Sequence, residues 1–188
     1  MKSNYQEILY NLTPIETERL LLRRPRPDDV SALMEYGSDP KVLEHLLWEG
    51  VSNLEEAKSS LYGYLLPNPG TFMIEVKDEQ KCIGSFDLRL IPEHDKASFG
   101  FCISSNYWNR GYMTEVLATV LRVCFTVLEL NRVEASCYRG NEGSGRVQEK
   151  CGMSLEGLSP QAVKVKGVFR DEYFYGITRD RWLEISND

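Results

Sequence analysis

The residues best suited to chemistry lie in one short segment, Asn106-Tyr107-Trp108-Asn109-Arg110-Gly111-Tyr112-Met113-Thr114, directly before a long amphipathic helical pattern. The first N–H groups of a helix have no partner within it, and the helix dipole adds about half a positive charge there. Gly111 lets the backbone approach an anion closely, and Arg110 adds a guanidinium. The segment therefore predicts a phosphate site, although Gly111 could equally serve an ordinary turn.

This segment differs from two common nucleotide-binding motifs. It lacks the Gly-Lys-Ser/Thr of a P-loop, which disfavours Walker-type nucleotide hydrolysis. It also lacks the Gly-x-Gly-x-x-Gly pattern, which argues against a dinucleotide site.

A second segment, Asn141–Met153, follows the next predicted strand and reads Asn-Glu-Gly-Ser-Gly-Arg-Val-Gln-Glu-Lys-Cys-Gly-Met. With Trp108–Met113 it resembles the GNAT superfamily of acyltransferases, whose patterns are [QRW]-x-x-G-x-[GAM] and N-x-x-S…E-K-x-G-[FM]. The resemblance covers about residues 16–182. The run Tyr107–Glu115 is similar to the Tyr-Trp-x-x-Gly-Tyr-x-Thr-Glu pattern of the ribosomal-protein alanine/serine N-terminal acetyltransferases, which makes this branch the closest.

The resemblance implies that acetyl-CoA is bound, with CoA as the product and no metal. The residues that would hold its pyrophosphate, mainly through backbone N–H groups, are Asn109, Arg110, Gly111, Tyr112, Met113 and Thr114. Phe101 and Ile103, with Cys102 between them, would pair with the pantetheine amides like an added strand. Asn141 would bond the pantetheine, and Ser144 would lie near the thioester sulfur.

Acyl transfer to an amine needs a neutral amine, stabilisation of an oxyanion and a proton for the leaving sulfur. A backbone N–H near Phe101–Ile103 is the candidate oxyanion donor. Many superfamily members use a tyrosine as the acid, but this chain has Gln148 there, so Ser144 is the expected catalytic donor. Ser144 and Asn141 could instead be ordinary helix-start residues. Direct transfer is favoured over an acyl-cysteine at Cys102, because no histidine lies nearby in sequence.

The general base is less well defined. Ser98 and Val163 stand where some relatives have glutamate. Asp87 is the candidate catalytic base, with Asp171 and Glu172 as alternatives, although a carboxylate on a strand is often only a surface residue.

A weak base favours an acceptor that is already partly neutral. At pH 7 about a tenth of an α-amine but under a thousandth of a lysine amine is neutral. The predicted partner is therefore a protein N-terminal α-amine, with a small-molecule amine as an alternative. A non-catalytic acyl-CoA-binding sensor is the other alternative, because Gln148, Ser98 and Val163 depart from the family at catalytic positions.

The elements that would position these residues follow from the apolar pattern. Met113–Leu128 carries a wide apolar stripe and predicts the longest helix. Shorter helices are predicted after Pro27, over residues 52–66 and over Asn141–Cys151. The predicted strands are Thr17–Arg24, Thr71–Val76, Cys82–Ile91, Ala97–Ile103, Arg132–Tyr138, Met153–Leu158 and Val165–Thr178.

This order predicts an α/β fold rather than an alternating Rossmann series. We expect a single-domain GNAT-like fold, with a mostly antiparallel central sheet of about seven strands, a splayed fourth and fifth strand, and about four flanking helices. The acyltransferase domain is predicted over residues 15–182, after an N-terminal arm at 1–14 and before a C-terminal tail at 183–188.

Composition narrows the class of protein further. The chain is 42% hydrophobic and 27% charged, as in globular proteins. Its formal net charge is −6, so the chain as a whole has no positive electrostatic potential that would attract nucleic acid. No apolar run approaches the length of a membrane span, and the first residues lack a signal-peptide core. Five scattered cysteines without a CxxC pair favour reduced thiols. The sequence thus predicts a cytoplasmic monomer or homodimer that binds neither nucleic acid nor membrane.

Overall fold

The structure is a computed structural model that describes residues 5–186, apart from the side chain of Gln6. Its helices are α1 (Tyr5–Leu12), α2 (Val30–Gly37), α3 (Pro40–Leu43), α4 (Leu54–Ser60), α5 (Tyr112–Thr126), α6 (Glu142–Lys150) and α7 (Arg179–Ser186). Its strands are β1 (Ile15–Glu16), β2 (Leu20–Arg23), β3 (Thr71–Val76), β4 (Lys81–Ile91), β5 (Lys96–Ile103), β6 (Arg132–Tyr138), β7 (Ser154–Val165) and β8 (Val168–Thr178).

The strands follow the hydrogen-bonded order β1-β2-β3-β4-β5-β6-β8-β7. The pairs β1–β2, β2–β3, β3–β4, β6–β8 and β7–β8 are antiparallel, whereas β5 and β6 are parallel. The mostly antiparallel sheet is therefore confirmed, and the short strand β1 raises the strand number to eight within residues 5–186. The β5–β6 ladder pairs Lys96–Ser98 with Arg132–Glu134 and stops there. Such a short ladder is what the predicted splay of these two strands requires.

The chain divides into two compact units. The first contains the described residues up to Leu88 together with Gly100–Tyr112, and the second contains Arg89–Phe99 and the residues from Met113 onward. Strands β4 and β5 each contribute residues to both units.

The core of the first unit forms between α2, α4 and strands β3 and β4. Its buried members are Leu33, Tyr36, Val51, Ala57, Leu61, Leu65, Met73 and Cys82. Helix α4 begins after Asn53, whose side chain accepts from the N–H of Glu56 at 3.0 Å, while Glu56 accepts from the N–H of Ser52 at 2.8 Å. The helix continues as a π-helical turn over Leu61–Leu65. Leu61 and Leu65 of this turn are buried in the core, so the helical segment extends close to the predicted end at residue 66.

A buried ion cluster joins β2, β3 and the turn before α2. Arg23, 6% exposed, donates to both carboxylate oxygens of Asp29 at 2.7 and 2.9 Å and to Glu75 at 2.6 Å. Burial alone would lower the pKa of Arg23, but the hydrogen bonds to Asp29 and Glu75 outweigh it and raise that pKa. Removing one partner of such a buried pair typically costs about 3–5 kcal/mol. The cluster therefore fixes the 3₁₀ turn Pro27–Asp29 that precedes α2.

The second unit is built on α5 and the β6–β8–β7 ladder. The buried stripe of α5 is the predicted one, formed by Val116, Leu117, Val120, Leu121, Cys124 and Phe125. Trp182 of α7 packs on Phe125, with ring centroids 5.5 Å apart. Strand β7 is longer than predicted and includes Pro160, which is tolerated because β7 is the edge strand of the sheet.

Helix α1 lies within the segment predicted to be an arm. Leu9 of this helix is 1% exposed, so the segment contributes to a core. Among the helices within residues 5–186, none is long and apolar enough to cross a membrane.

Candidate active site

The loop between β5 and α5 has the backbone shape that an anion site needs. A 3₁₀ turn over Ser105–Tyr107 follows β5, and α5 begins at Tyr112. Between them Asn109 has φ 60° and Gly111 has φ 79°. Asparagine and glycine are the residues that most readily adopt this left-handed region, which explains both residue types.

The last three N–H groups before α5 lack protein acceptors among the described residues. Within residues 5–186 the N–H groups of Asn109, Arg110 and Gly111 have no protein acceptor. The N–H groups of Tyr112, Met113 and Thr114 form the first turn of α5, where helical partners are lacking. Apart from its chain neighbours, a Cβ atom added to Gly111 would meet one described group within 4 Å, the Arg19 guanidinium at 3.5 Å. Open space beside unpaired N–H groups at a positive helix end fits a phosphate group.

Two arginines lie at this loop, in different orientations. Arg110 turns back, because its Nη2 donates to the carbonyl of Asn106 at 2.9 Å and its guanidinium lies 4.9 Å from the Tyr107 ring centroid. Arg19 instead donates to the carbonyl of Arg110 at 2.9 Å and lies 4.6 Å from the centroid of Tyr112. The guanidinium beside Gly111 is therefore that of Arg19. Sequence reasoning missed it, since no local pattern links residues 91 positions apart.

Side chains from distant elements hold the loop in place. Ser105 donates to Asp39 at 2.5 Å, and this hydrogen bond lowers the pKa of Asp39. The indole of Trp108 donates to the carbonyl of Ile103 at 3.0 Å, and the hydroxyl of Tyr107 donates to Glu79. These bonds keep the backbone of the loop in one conformation before any ligand arrives.

The predicted pantetheine-binding residues lie at the end of β5. The ring of Phe101 stacks on Phe86 of β4, with centroids 6.3 Å apart. A Cβ atom at Gly84 would collide with the carbonyl of Cys102, so glycine is needed for this close approach of the strands. Burial raises the pKa of the Cys102 thiol to about 11, which keeps it protonated at neutral pH.

The carboxylate of Asp87, on β4, accepts several hydrogen bonds from side chains of the first unit. It accepts hydrogen bonds from the hydroxyl of Tyr64 at 2.8 Å, from the amide of Asn68 at 2.9 Å and from Thr71 at 3.5 Å. These three hydrogen bonds engage both oxygens of the carboxylate and hold it against β3 and the segment before it.

The two alternative carboxylates are also engaged. Asp171 accepts from the N–H of Gln161 at 3.0 Å, and Glu172 accepts from the hydroxyl of Ser136 at 2.7 Å. Neither is distinguished as a general base by its contacts.

The start of α6 holds the other predicted site residues. Asn141 is the N-cap, and its side chain accepts from the N–H of Ser144 at 3.3 Å, as expected for a capping residue. The amide of Gln148 donates to the Ser144 hydroxyl oxygen at 3.3 Å. A cavity of about 240 Å³ beside α6 is lined by Asn141 but not by Ser144. The backbone carbonyl of Thr114, in the first turn of α5, accepts a hydrogen bond from the Cys151 thiol at 3.4 Å.

Comparison with known proteins finds relatives in both sequence and structure. The family model for the acetyltransferase (GNAT) domain matches residues 19–154. The uncharacterized N-acetyltransferase YnaD of Bacillus subtilis is 32% identical over 169 residues, covering 89% of this chain and 98% of YnaD. The L-amino acid N-acetyltransferase AaaT of Escherichia coli is 27% identical over 78 residues, covering 42% of this chain and 48% of AaaT. The crystal structure of a GNAT-family acetyltransferase from Bacillus anthracis has a TM-score of 0.81 at 28% identity, covering 88% and 98% of the two chains.

The chain belongs to the GNAT family of acetyltransferases. It is an acyl-CoA-dependent N-acetyltransferase that acts on amines, which confirms the predicted fold and enzyme class. Among the described residues, no group of three or more histidine, cysteine or acidic side chains could hold a metal ion.

Proposed function

We propose that this enzyme transfers the acetyl group of acetyl-CoA directly to an α-amine, in the first place the N-terminal amine of a protein. The similarity of Tyr107–Glu115 to the ribosomal-protein N-terminal acetyltransferases supports this branch of the family. The observation that carries the choice of acceptor is geometric: the oxygens of Asp87, the candidate base, already accept hydrogen bonds from Tyr64, Asn68 and Thr71.

The cofactor site proposed here follows the loop and the start of α5. The pyrophosphate binds to N–H groups within Asn109–Thr114, which lack acceptors or helical partners in the described part of the chain. The backbone of Phe101–Ile103 pairs with the pantetheine, and Asn141 contacts it from α6. Bound acetyl-CoA supplies the activated acetyl group, and the residues of the chain supply orientation and proton transfer.

Direct transfer is supported by the chemistry of Cys102. Only the thiolate form of a cysteine is a strong nucleophile. With its pKa raised to about 11 by burial, less than about a thousandth of this thiol is ionised at neutral pH. An acyl-cysteine at this position therefore has no activated nucleophile to form it.

The proposed proton donor to the leaving sulfur is Ser144, and Asp87 is the proposed base, acting through water. A carboxylate whose oxygens are already engaged by three side chains is poorly placed to take the proton of a lysine ammonium, whose pKa is about 10.4. An α-amine has a pKa of about 7.7–8.0, so a larger fraction of it is already neutral at pH 7 without a base. The proposed residues thus favour α-amines over lysine side chains.

A pair of peptides tests this proposal. One carries a free N-terminus and no lysine, and the other has a blocked N-terminus and one lysine in otherwise the same sequence. We expect faster acetylation of the first, with kcat/KM levelling off near pH 8 as the α-amine becomes neutral. Faster acetylation of the lysine peptide, or a rate that still rises tenfold per pH unit above pH 8.5, would contradict the proposal.

A second candidate acceptor is a free amino acid. AaaT, similar to this chain over 78 residues, is named for L-amino acid acetylation, and an amino acid also presents an α-amine. Adding free amino acids to the same assay separates the two: the protein acceptor predicts that the peptide has the higher kcat/KM.

A further inference from the structure

Gln148 occupies an unusual place for an amide side chain. It is 0% exposed and lies on α6, one turn after Ser144. Its Nε2 donates to the hydroxyl oxygen of Ser144, but its buried Oε1 has no hydrogen-bond partner among the described residues. A buried polar atom without a partner typically costs about 1–3 kcal/mol. The orientation of this amide therefore calls for a physical reason.

The hydrogen bond from Gln148 fixes the role of the Ser144 hydroxyl. A serine hydroxyl has one proton to donate and two lone pairs to accept with. The N–H of Gln148 engages one lone pair, so the hydroxyl proton must point elsewhere. Within residues 5–186 this proton has no protein acceptor, and Ser144 is partly exposed. The proton is thus directed toward whatever binds at the start of α6.

We propose that Gln148 is a positioning residue that keeps Ser144 oriented as a proton donor to the leaving sulfur. This inference rests on the function proposed above. The acceptor nitrogen first bonds to the acetyl carbonyl carbon. As the carbon–sulfur bond then breaks and its electron pair passes to sulfur, the Ser144 hydroxyl gives its proton to the sulfur. Ser144 regains a proton from water, which takes up the one released by the acceptor nitrogen, so no net proton is consumed. The N–H of Gln148 stabilises the Ser144 oxygen while negative charge develops on it.

A hydrogen-bond acceptor instead of a donor at position 148 would prevent Ser144 from donating its proton to the ligand. If an oxygen instead of the N–H faced Ser144, that oxygen would accept the hydroxyl proton and turn it away from the ligand. Gln148→Glu creates this situation with almost no change in shape. Gln148→Met keeps the length of the side chain and removes the hydrogen bond without replacing it.

These two variants, made in the full chain, test the inference with acetyl-CoA and the best peptide acceptor. Gln148→Glu should lower kcat about 10- to 100-fold, which is the scale of lost acid catalysis, and leave the KM for acetyl-CoA unchanged. Gln148→Met should lose less, because Ser144 can still donate in some rotamers. The loss of kcat in Gln148→Glu should become smaller as the pH falls. A buried carboxyl has a raised pKa, so it regains a proton and can then donate to Ser144.

A Ser144→Ala background separates positioning from packing. There the Glu and Met variants should have equal kcat values, because no hydroxyl remains to be oriented. Full activity of Gln148→Glu, or a difference that persists in the Ser144→Ala background, would overturn the inference. If Gln148→Glu does not fold, the Gln148→Met variant decides. It must lower kcat at least about threefold in the unmodified chain and must leave kcat unchanged in the Ser144→Ala background. No transfer to any amine by the unmodified enzyme would instead refute the proposed function.

Discussion

The charge beside the phosphate loop comes from a residue that the loop motif does not contain. Arg19 donates to the carbonyl of Arg110 and places a guanidinium 3.5 Å from the Cβ position of Gly111. Arg110 donates back into the loop, to Asn106. The two arginines thus have different roles: Arg110 shapes the loop, and Arg19 brings charge to the place where a diphosphate would lie.

Neutralising Arg19 should therefore weaken CoA binding. We expect Arg19→Gln to raise the Kd of CoA about 3- to 10-fold, the scale of one exposed charge-assisted contact, as measured by calorimetry. Binding of pantetheine, which has no phosphate, should not change. Arg122→Gln, an exposed arginine in the middle of α5, is the matched charge control and should bind CoA as the unmodified protein does. An equal loss for CoA and pantetheine would show that Arg19 does not act on phosphate.

Cys102 should be dispensable for catalysis. Its thiol lies 3.7 Å from the hydroxyl of Ser85 and stays protonated at neutral pH, so it cannot start an acyl-enzyme pathway. Cys102→Ser should keep kcat within about twofold, and initial-rate plots should intersect as in direct transfer. Parallel lines, or complete loss of activity in a variant that still binds CoA, would contradict direct transfer.

Some of these residues could be predicted from the sequence and others could not. Gly111, Asn141 and Ser144 lie in short motifs, in which local spacing determines the place of each residue on its element. Arg19 and the donors around Asp87 could not be predicted, because the contacts join residues that only the folded sheet brings together. The polarity of the Ser144–Gln148 bond also required side-chain geometry.

At the level of elements, the proposed cofactor site is the junction of the loop with α5. The φ angles of Asn109 and Gly111 turn the backbone so that successive N–H groups lie free before the helix. The bonds from Ser105 and Trp108 keep this shape without a ligand. A preformed site of this kind binds without the entropic cost of ordering a loop.

Gly111→Glu should abolish CoA binding, because it places bulk and negative charge where the proposed site holds the phosphates. Gly167→Glu, in the turn between β7 and β8, is a matched control with the same φ region (83° against 79°), the same added charge and open space around it. We expect calorimetry to show a Kd at least about 100-fold higher for Gly111→Glu and no change for Gly167→Glu. Similar losses in both variants would mean that strain, and not the site, explains the effect.

The apolar pattern predicted the elements best where they are long and regular. Helix α5 was predicted over Met113–Leu128 and spans Tyr112–Thr126, because its apolar stripe is wide and continuous. Helix α1 was missed, since eight residues with one deeply buried leucine leave little periodic signal. Strand β7 was predicted too short, because Pro160 is normally a strand breaker and the sequence does not reveal that β7 is an edge strand.

For the whole molecule, CoA should stabilise the folded state. Ligand at 100 times its Kd stabilises a protein by about 2.7 kcal/mol. For a chain of this size such a gain corresponds to a rise in Tm of roughly 5–10 °C. We expect this rise in the unmodified protein and in Gly167→Glu, but not in Gly111→Glu. An equal rise in all three, measured by scanning calorimetry, would place CoA away from the loop.

A crystal structure with bound acetyl-CoA tests the central claim most directly. We predict that diphosphate oxygens lie within about 2.7–3.2 Å of backbone nitrogens between Asn109 and Thr114. The Arg19 guanidinium should lie on the same side of the loop. A structure in which the cofactor binds elsewhere, while these N–H groups donate to protein atoms, would contradict it.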